Sequence, residues 1–183
     1  SSLLLKIHIR IHIHIRNATP TFKSKRSNAA ANMNINRETL LRSAQSLCND
    51  FANKEPLEKV LKNFSSSKED KIVCFEHGLN HPSVPFLGRE FRGREGAREY
   101  FELIASLLSY ESMRFIEYFV DVENLAVSVQ GDATFTWLGT KESWDEVFTY
   151  RLRFDADGKV TRYEVWADSL AAYLASTGQL GTK

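Results

Sequence analysis

Cysteine is scarce in this chain: Cys48 and Cys74 are the only two in 183 residues. Two isolated thiols make neither a disulfide framework nor a metal knuckle, and both are expected to be buried fillers in a reducing compartment. With four prolines and 43% hydrophobic residues, the chain suits one globular domain plus a tail. No apolar run approaches the roughly 18 to 20 residues that span a bilayer, so a soluble protein without a membrane partner is expected. A glycine-rich phosphate loop and a dinucleotide fingerprint are absent, and the His, Asp and Glu positions lack metal-ligand spacing, so neither cofactor nor metal is expected.

Acid is also missing from one end. Residues 1–36 hold six Lys or Arg and no Asp or Glu, which leaves 18 bases against 23 acids from Arg37 onward. A domain of net charge −5 is a poor match for phosphate contacts, so nucleic acid is not an expected partner. Within the tail, SSLLLKIHIRIHIHIR alternates Ile with His or Arg, a strand-like period of two with nothing to cover its Ile face. Residues 1–32 are therefore expected to be a basic extension without a packed structure, and 33–183 the domain. A cytoplasmic location is expected, with a mitochondrial presequence as the alternative reading of the basic tail. Such presequences are amphipathic helices, and this Ile pattern is not.

The chain is organised around SWDEVFTYRLRFDADGKVTRYEVWAD. Two runs rich in aromatic and β-branched residues flank Asp155-Ala156-Asp157-Gly158, whose glycine can supply a positive φ, and the whole reads as an antiparallel hairpin. In its first arm Glu146, Phe148, Tyr150, Leu152 and Phe154 share the packed face, and Val147, Thr149, Arg151 and Arg153 the wetter one. A carboxylate in line with aromatics draws attention, because a buried charge is costly unless paired.

Upstream, Asn36 or Asn34 can cap a helix to about Asn53 with Leu40, Ala44, Leu47 and Phe51 as its apolar stripe. Pro56 suits the first turn of a short helix to Phe64. Lys71–His77 reads as a strand, with Val73, Phe75 and His77 on one face. The Gly- and Pro-punctuated stretch GLNHPSVPFLGREF reads as a loop. Helical spacing of Ala97, Phe101, Ile104 and Leu108 predicts a helix over 93–110. Strands follow over 112–120 and 125–137, where Gly131 suggests a bend or bulge. Asp168 can cap a final helix over 169–177. This order predicts an α+β fold: a curved antiparallel sheet wrapped around a long helix as a cone, with a pocket between them.

The order of elements, with FLGREFRGREGAREYF at the long helix and VFTYRLRFDADGKVTRYEVWAD at the end, resembles the SnoaL-like branch of the nuclear transport factor 2-like superfamily over about Met33 to Thr177. That superfamily holds polyketide cyclases, ketosteroid isomerases, scytalone dehydratase, epoxide hydrolases and members without enzymatic activity, so fold does not select a function. In the isomerases a Val-Glu-Asp-Pro-like segment ends the first strand and its Asp moves the proton. The matching segment here is Phe75-Glu76-His77-Gly78, which puts His77 at the position of the base. An oxyanion-hole Asp on the penultimate strand corresponds to Tyr150. The isomerase's helical tyrosine corresponds to Leu47, a departure that points away from steroid isomerisation itself.

The expected site is therefore His77 as proton shuttle, Tyr150 as enolate stabiliser and Glu146 as the group that tunes His77. Phe75, Phe135, Trp137, Trp144, Phe148 and Tyr163 are expected to line it and to accept a hydrophobic small molecule. Each has a plainer reading as a rim histidine, a core tyrosine, a solvated strand-end carboxylate or ordinary core. His81 reads as a loop residue, exposed or paired with His77. Arg151, Arg153, Glu164 and Trp166 on the outer sheet face suggest a homodimer. The function expected is cofactor-independent acid/base catalysis, a cyclisation, isomerisation or dehydration of a hydrophobic cyclic or polyketide-like carbonyl compound. The alternative is a ligand-binding or dimerisation module of the same fold without chemistry.

Overall fold

The computed structural model describes residues 35–181, so the expectations for the N-terminal tail and the domain start near Met33 lie outside the described residues. The first helix, α1 (Arg37–Ala52), begins where Asn36 Oδ1 accepts the Thr39 backbone N–H at 2.9 Å, and Leu40, Ala44 and Leu47 on its stripe are fully buried. After Pro56, α2 (Leu57–Val60) tightens into a 3-10 turn over Leu61–Asn63 instead of running on as α-helix. Then come β1 (Val73–Glu76), β2 (Glu90–Arg92), α3 (Gly93–Leu107), β3 (Leu108–Asp121), β4 (Ala126–Trp137), β5 (Ser143–Phe154), β6 (Val160–Trp166) and α4 (Ser169–Ser176). Asp168 Oδ1 accepts from the N–H groups of Leu170 and Ala171, the expected cap.

The six strands form one curved, open sheet in the order β2-β1-β6-β5-β4-β3. The meander from β3 to β6 is antiparallel throughout, and β1 joins it parallel to β6. β2 lies inside the stretch read as an irregular loop; three residues between turns are too few to set up a periodic signal. Helices and sheet are segregated, as an α+β layer fold requires. No helix among the described residues is long and apolar enough to cross a membrane.

Curvature originates in β3. Its register against β4 slips by one residue between Glu111 and Arg114 and again between Ile116 and Phe119. At each slip a non-glycine residue takes positive φ, Ser112 at 57° and Glu117 at 55°, which is the backbone of a β-bulge. Each bulge resets the side-chain alternation. Leu108 and Tyr110, then Met113 and Phe115, then Tyr118 and Val120 all reach the concave side.

Gly131 serves a different purpose from the bend its sequence suggests. Pairing runs unbroken through it, with Phe115 on one side and Phe148 on the other. A Cβ at this position would lie 2.3 Å from the Phe148 ring and 3.1 Å from that of Phe115. The glycine makes room for two stacked-in aromatics. At the β5–β6 turn the expectation holds: Gly158 has φ +70°, and buried Asp155 ties the turn by accepting from Ser65 Oγ at 2.6 Å and from the Asp157 and Lys159 N–H groups at 2.9 Å.

Gly131→Ala is expected to lower stability by about 1–3 kcal/mol through overpacking, read as a lower urea midpoint. Gly139→Ala is the control, since the nearest atom to its Cβ is at an ordinary 3.5 Å. Equal midpoints for the two variants would refute the packing role of Gly131.

Candidate active site

Which face of β1 looks into the cone is settled by its partner. Val73 and Phe75 pair with Arg162 and Glu164, and Cys74 and Glu76 pair with Tyr163 and Val165. Tyr163 and Val165 are concave-side residues that line the cavity, so Cys74 and Glu76 point inward with them. His77 does not. It lies on the convex side, where its ring stacks on Trp166 with centroids 3.9 Å apart and Nε2 sits 3.6 Å from Glu164 Oε1. The expected meeting of His77 with Tyr150 and Glu146 therefore fails by one residue of strand parity. Apolar residues occupy both faces of this short strand, Ile72 and Cys74 on one and Val73 and Phe75 on the other, so alternation could not tell them apart.

The concave side of the sheet and the helices enclose a cavity of about 460 Å³. Its deep wall is made by Glu76, Tyr100, Tyr150 and Tyr163, all less than a tenth exposed. Tyr100 comes from α3 and donates to Glu76 Oε2 at 2.8 Å. Burial is the main cause that lifts the Glu76 carboxyl from its ordinary 4.5 to about 7, against the pull of the Tyr100 hydrogen bond, with the charge of Glu146 adding to the rise. Burial also raises Glu146, but the backbone N–H of Asp168 and the Trp144 indole N–H, at 2.7 Å, both donate to it and favour its charged form. Glu76 is thus the carboxyl that burial raises toward neutrality.

The phenols are held neutral. Burial pushes Tyr100, Tyr150 and Tyr163 well above the usual range. The rings of Tyr150 and Tyr163 are 4.9 Å apart. Three buried phenols thus stand around one buried carboxyl whose pKa is raised toward neutrality.

Of the residues expected to line the pocket, Phe135, Trp144 and Tyr163 do, together with Tyr150 and Glu146. Phe75 does not: it faces outward with His77, edge-on at 4.6 Å. Trp137 and Phe148 are core; the first packs against Phe86 and the second fills the space over Gly131. His81 is held apart from His77, its Nδ1 accepting the Ser83 N–H and its ring edge-on to Tyr173. Two site residues escaped sequence reasoning, Glu76 and Tyr100. A glutamate closing an apolar strand was the available signal for the first, and a tyrosine one residue from the stripe position Phe101 for the second. Among the described residues no three His, Cys, Asp or Glu side chains converge as a metal-ligand set.

The sequence matches no protein-family model and no curated protein, but solved structures share its fold. A nuclear transport factor 2-like protein from Burkholderia pseudomallei is similar over 76% of this chain and 98% of its own, with a TM-score of 0.61 and 16% identity. TerC, co-crystallised with polyporic acid, aligns over 76% of this chain and 98% of its own, with a TM-score of 0.60 and 18% identity. An epoxide hydrolase of M. tuberculosis covers 78% of this chain and 92% of its own, with a TM-score of 0.55 and 14% identity. Identities this low speak to fold alone. The curved open sheet, the helices against its concave side and these likenesses together give the chain the cone fold of the nuclear transport factor 2-like superfamily, in which the SnoaL-like proteins belong.

Proposed function

We propose that the protein is an acid/base enzyme needing no cofactor, which moves a proton on a hydrophobic ring-containing carbonyl compound held in the cone. The observation that carries this reading is the pairing of a carboxyl poised near neutrality, Glu76, with neutral phenols on the wall of one apolar cavity. The range of chemistries on related folds, from TerC with its polyporic acid to an epoxide hydrolase, supports a catalytic use of such a cone.

In this mechanism Glu76, ionised, removes a proton from the carbon next to the carbonyl. Tyr100 fixes the carboxylate by its 2.8 Å hydrogen bond. Tyr150 donates to the oxygen on which negative charge develops, with the Tyr163 ring packed beside it at 4.9 Å. Donors aimed at that oxygen favour the enolate over the bound ketone, the differential that accelerates a reaction. Glu76 then returns the proton to another carbon in an isomerisation, to the alkoxide oxygen formed when the enolate carbon attacks a second carbonyl in a cyclisation, or to a departing hydroxyl that leaves as water in a dehydration.

The raised Glu76 has a consequence for stability. Its pKa rises on folding from 4.5 to about 7, so the folded chain favours the protonated form. The stability this gives is fully present below about pH 4.5 and is lost as pH rises through 7, a difference of about 3 kcal/mol. Activity and stability therefore run in opposite directions across that window.

The convex side supports a homodimer. Ile116, Gln130, Thr149 and Trp166 lie in one cross-strand row, flanked by Phe119 and Val147, which are 68% and 65% exposed. Apolar exposure of this kind on a sheet face fits a second copy of the same face. Glu164 lies on this side opposite Arg151, but is buried there and paired with Arg162 at 3.1 Å.

The test of function is proton exchange into a panel of hydrophobic cyclic ketones in deuterated water, followed by NMR. Exchange is expected to rise with pH about an inflexion near 7, to fall by about 10²–10⁴-fold in Glu76→Gln, and to persist in His77→Ala. No exchange with any ketone, beside tight binding of several, would favour the non-catalytic module. Independently, Glu76→Gln is expected to gain up to about 3 kcal/mol over wild type at pH 9 and nothing at pH 4. A variant less stable than wild type at pH 9 would contradict the burial argument. Sedimentation at micromolar concentration is expected to show a dimer, and Phe119→Glu with Trp166→Glu a monomer; a monomeric wild type removes the interface.

A further inference from the structure

The walls of the cavity are uneven in charge. Five carboxylic acids line it, Glu76 and Glu146 inside and Glu55, Glu102 and Asp168 toward solvent, and not one Lys, Arg or His does so among the described residues. The outer three are partly compensated: Lys59 lies 2.8 Å from Glu55, Arg98 lies 3.9 Å from Glu102, and Asp168 caps α4. The inner two meet no cation among the described residues. Glu76 receives only the Tyr100 phenol, and Glu146 only neutral N–H donors from Trp144 and Asp168.

An ionised carboxylate inside a low-dielectric cavity attracts a counter-charge far more strongly than one in water. Each Glu146 oxygen has accepted one hydrogen bond and keeps room for another. Beside it stands Trp144, whose indole N–H edge meets the carboxylate and whose ring stacks on Phe135 with centroids 5.8 Å apart, both rings lining the cavity. Aromatic faces next to a carboxylate are the surroundings in which an organic ammonium ion is well held. The same cavity repels carboxylates and phosphates.

From this we infer that the ligand of the cone is a hydrophobic ring compound carrying a protonated amine, with its ammonium group against Glu146 and the Trp144–Phe135 faces. This deepens the proposed function and rests on it for the chemistry only. The amine anchors the molecule on β5, and its carbonyl-bearing carbon is presented to Glu76 on β1. Two inner carboxyls then have two tasks: Glu146 binds charge and Glu76 moves the proton. A poly-keto acid, the anionic counterpart, is the class this cavity excludes.

The experiment is equilibrium binding of three probes of matched shape, naphthylethylamine, naphthylethanol and naphthylacetate, to the full chain at pH 7, by calorimetry and by quenching of tryptophan fluorescence. The amine is expected to bind at least about tenfold more tightly than the alcohol, and the carboxylate more weakly than either. Glu146→Gln is expected to abolish the difference between amine and alcohol while leaving alcohol binding within about twofold. Circular dichroism and the urea midpoint of that variant establish that it is folded. Equal binding of amine and alcohol by wild type, tightest binding of the carboxylate, or an amine preference untouched by Glu146→Gln would each overturn the inference. Should the Gln variant not fold, Trp144→Leu is the second arm, expected to cut the amine preference by about threefold or more and overturning the inference if it does not. None of these readings requires turnover, so a preference for the amine without proton exchange would leave this inference standing and remove the enzymatic one.

Discussion

A sheet encloses space only if it curls, and here the curl depends on two extra residues in one edge strand. Without the bulges at Ser112 and Glu117, β3 would keep a strict period of two and would turn Met113 and Phe115 to the opposite side from its other inward residues. With them, six side chains of β3 reach the concave face and pack with the rings of β4 and β5 and with the apolar side of α1. The cavity is what remains after these aromatics have met. Phe51, Phe101, Tyr100, Tyr150 and Tyr163 approach one another at 4.9–6.0 Å between ring centres, and planar rings at such angles leave a space that flexible aliphatic chains would fill.

Into that space the chain sets two carboxyls that weaken the fold. Neither meets a cation among the described residues, and both are pushed upward by burial. Groups of this kind concentrate where a protein does work, because a side chain that is comfortable in its charge state has no reason to give up or take a proton. The surrounding phenols soften the cost without removing it: a phenol can hydrogen-bond a carboxylate, but it cannot neutralise one.

Much of the fold was legible in the sequence because its longest elements repeat their signals. β5 alternates over its whole length, so Glu146 and Tyr150 were put on the correct face, and α1 and α4 announced themselves by their caps. β1 was not legible in the same way. Four residues, apolar on both sides, leave parity to be fixed by the neighbouring strand, and one step of parity exchanges Glu76 for His77. β3 hid its faces differently. Its inward residues 108, 110, 113, 115, 118 and 120 are spaced two, three, two, three, two, a pattern that reads as noise against a uniform period and as two bulges once the sheet is known. Tyr100 was invisible for a third reason, since helical spacing identifies the stripe that packs and says little of the neighbour that reaches across to a strand.

Glu146 holds more than the wall of a cavity. One of its oxygens accepts the backbone N–H of Asp168, and the side chain of Asp168 begins α4. The carboxylate that faces the interior and the first turn of the last helix are thus two ends of one short hydrogen-bonded chain. A group bound to Glu146 in the interior therefore sits two hydrogen bonds away from the first turn of the last helix.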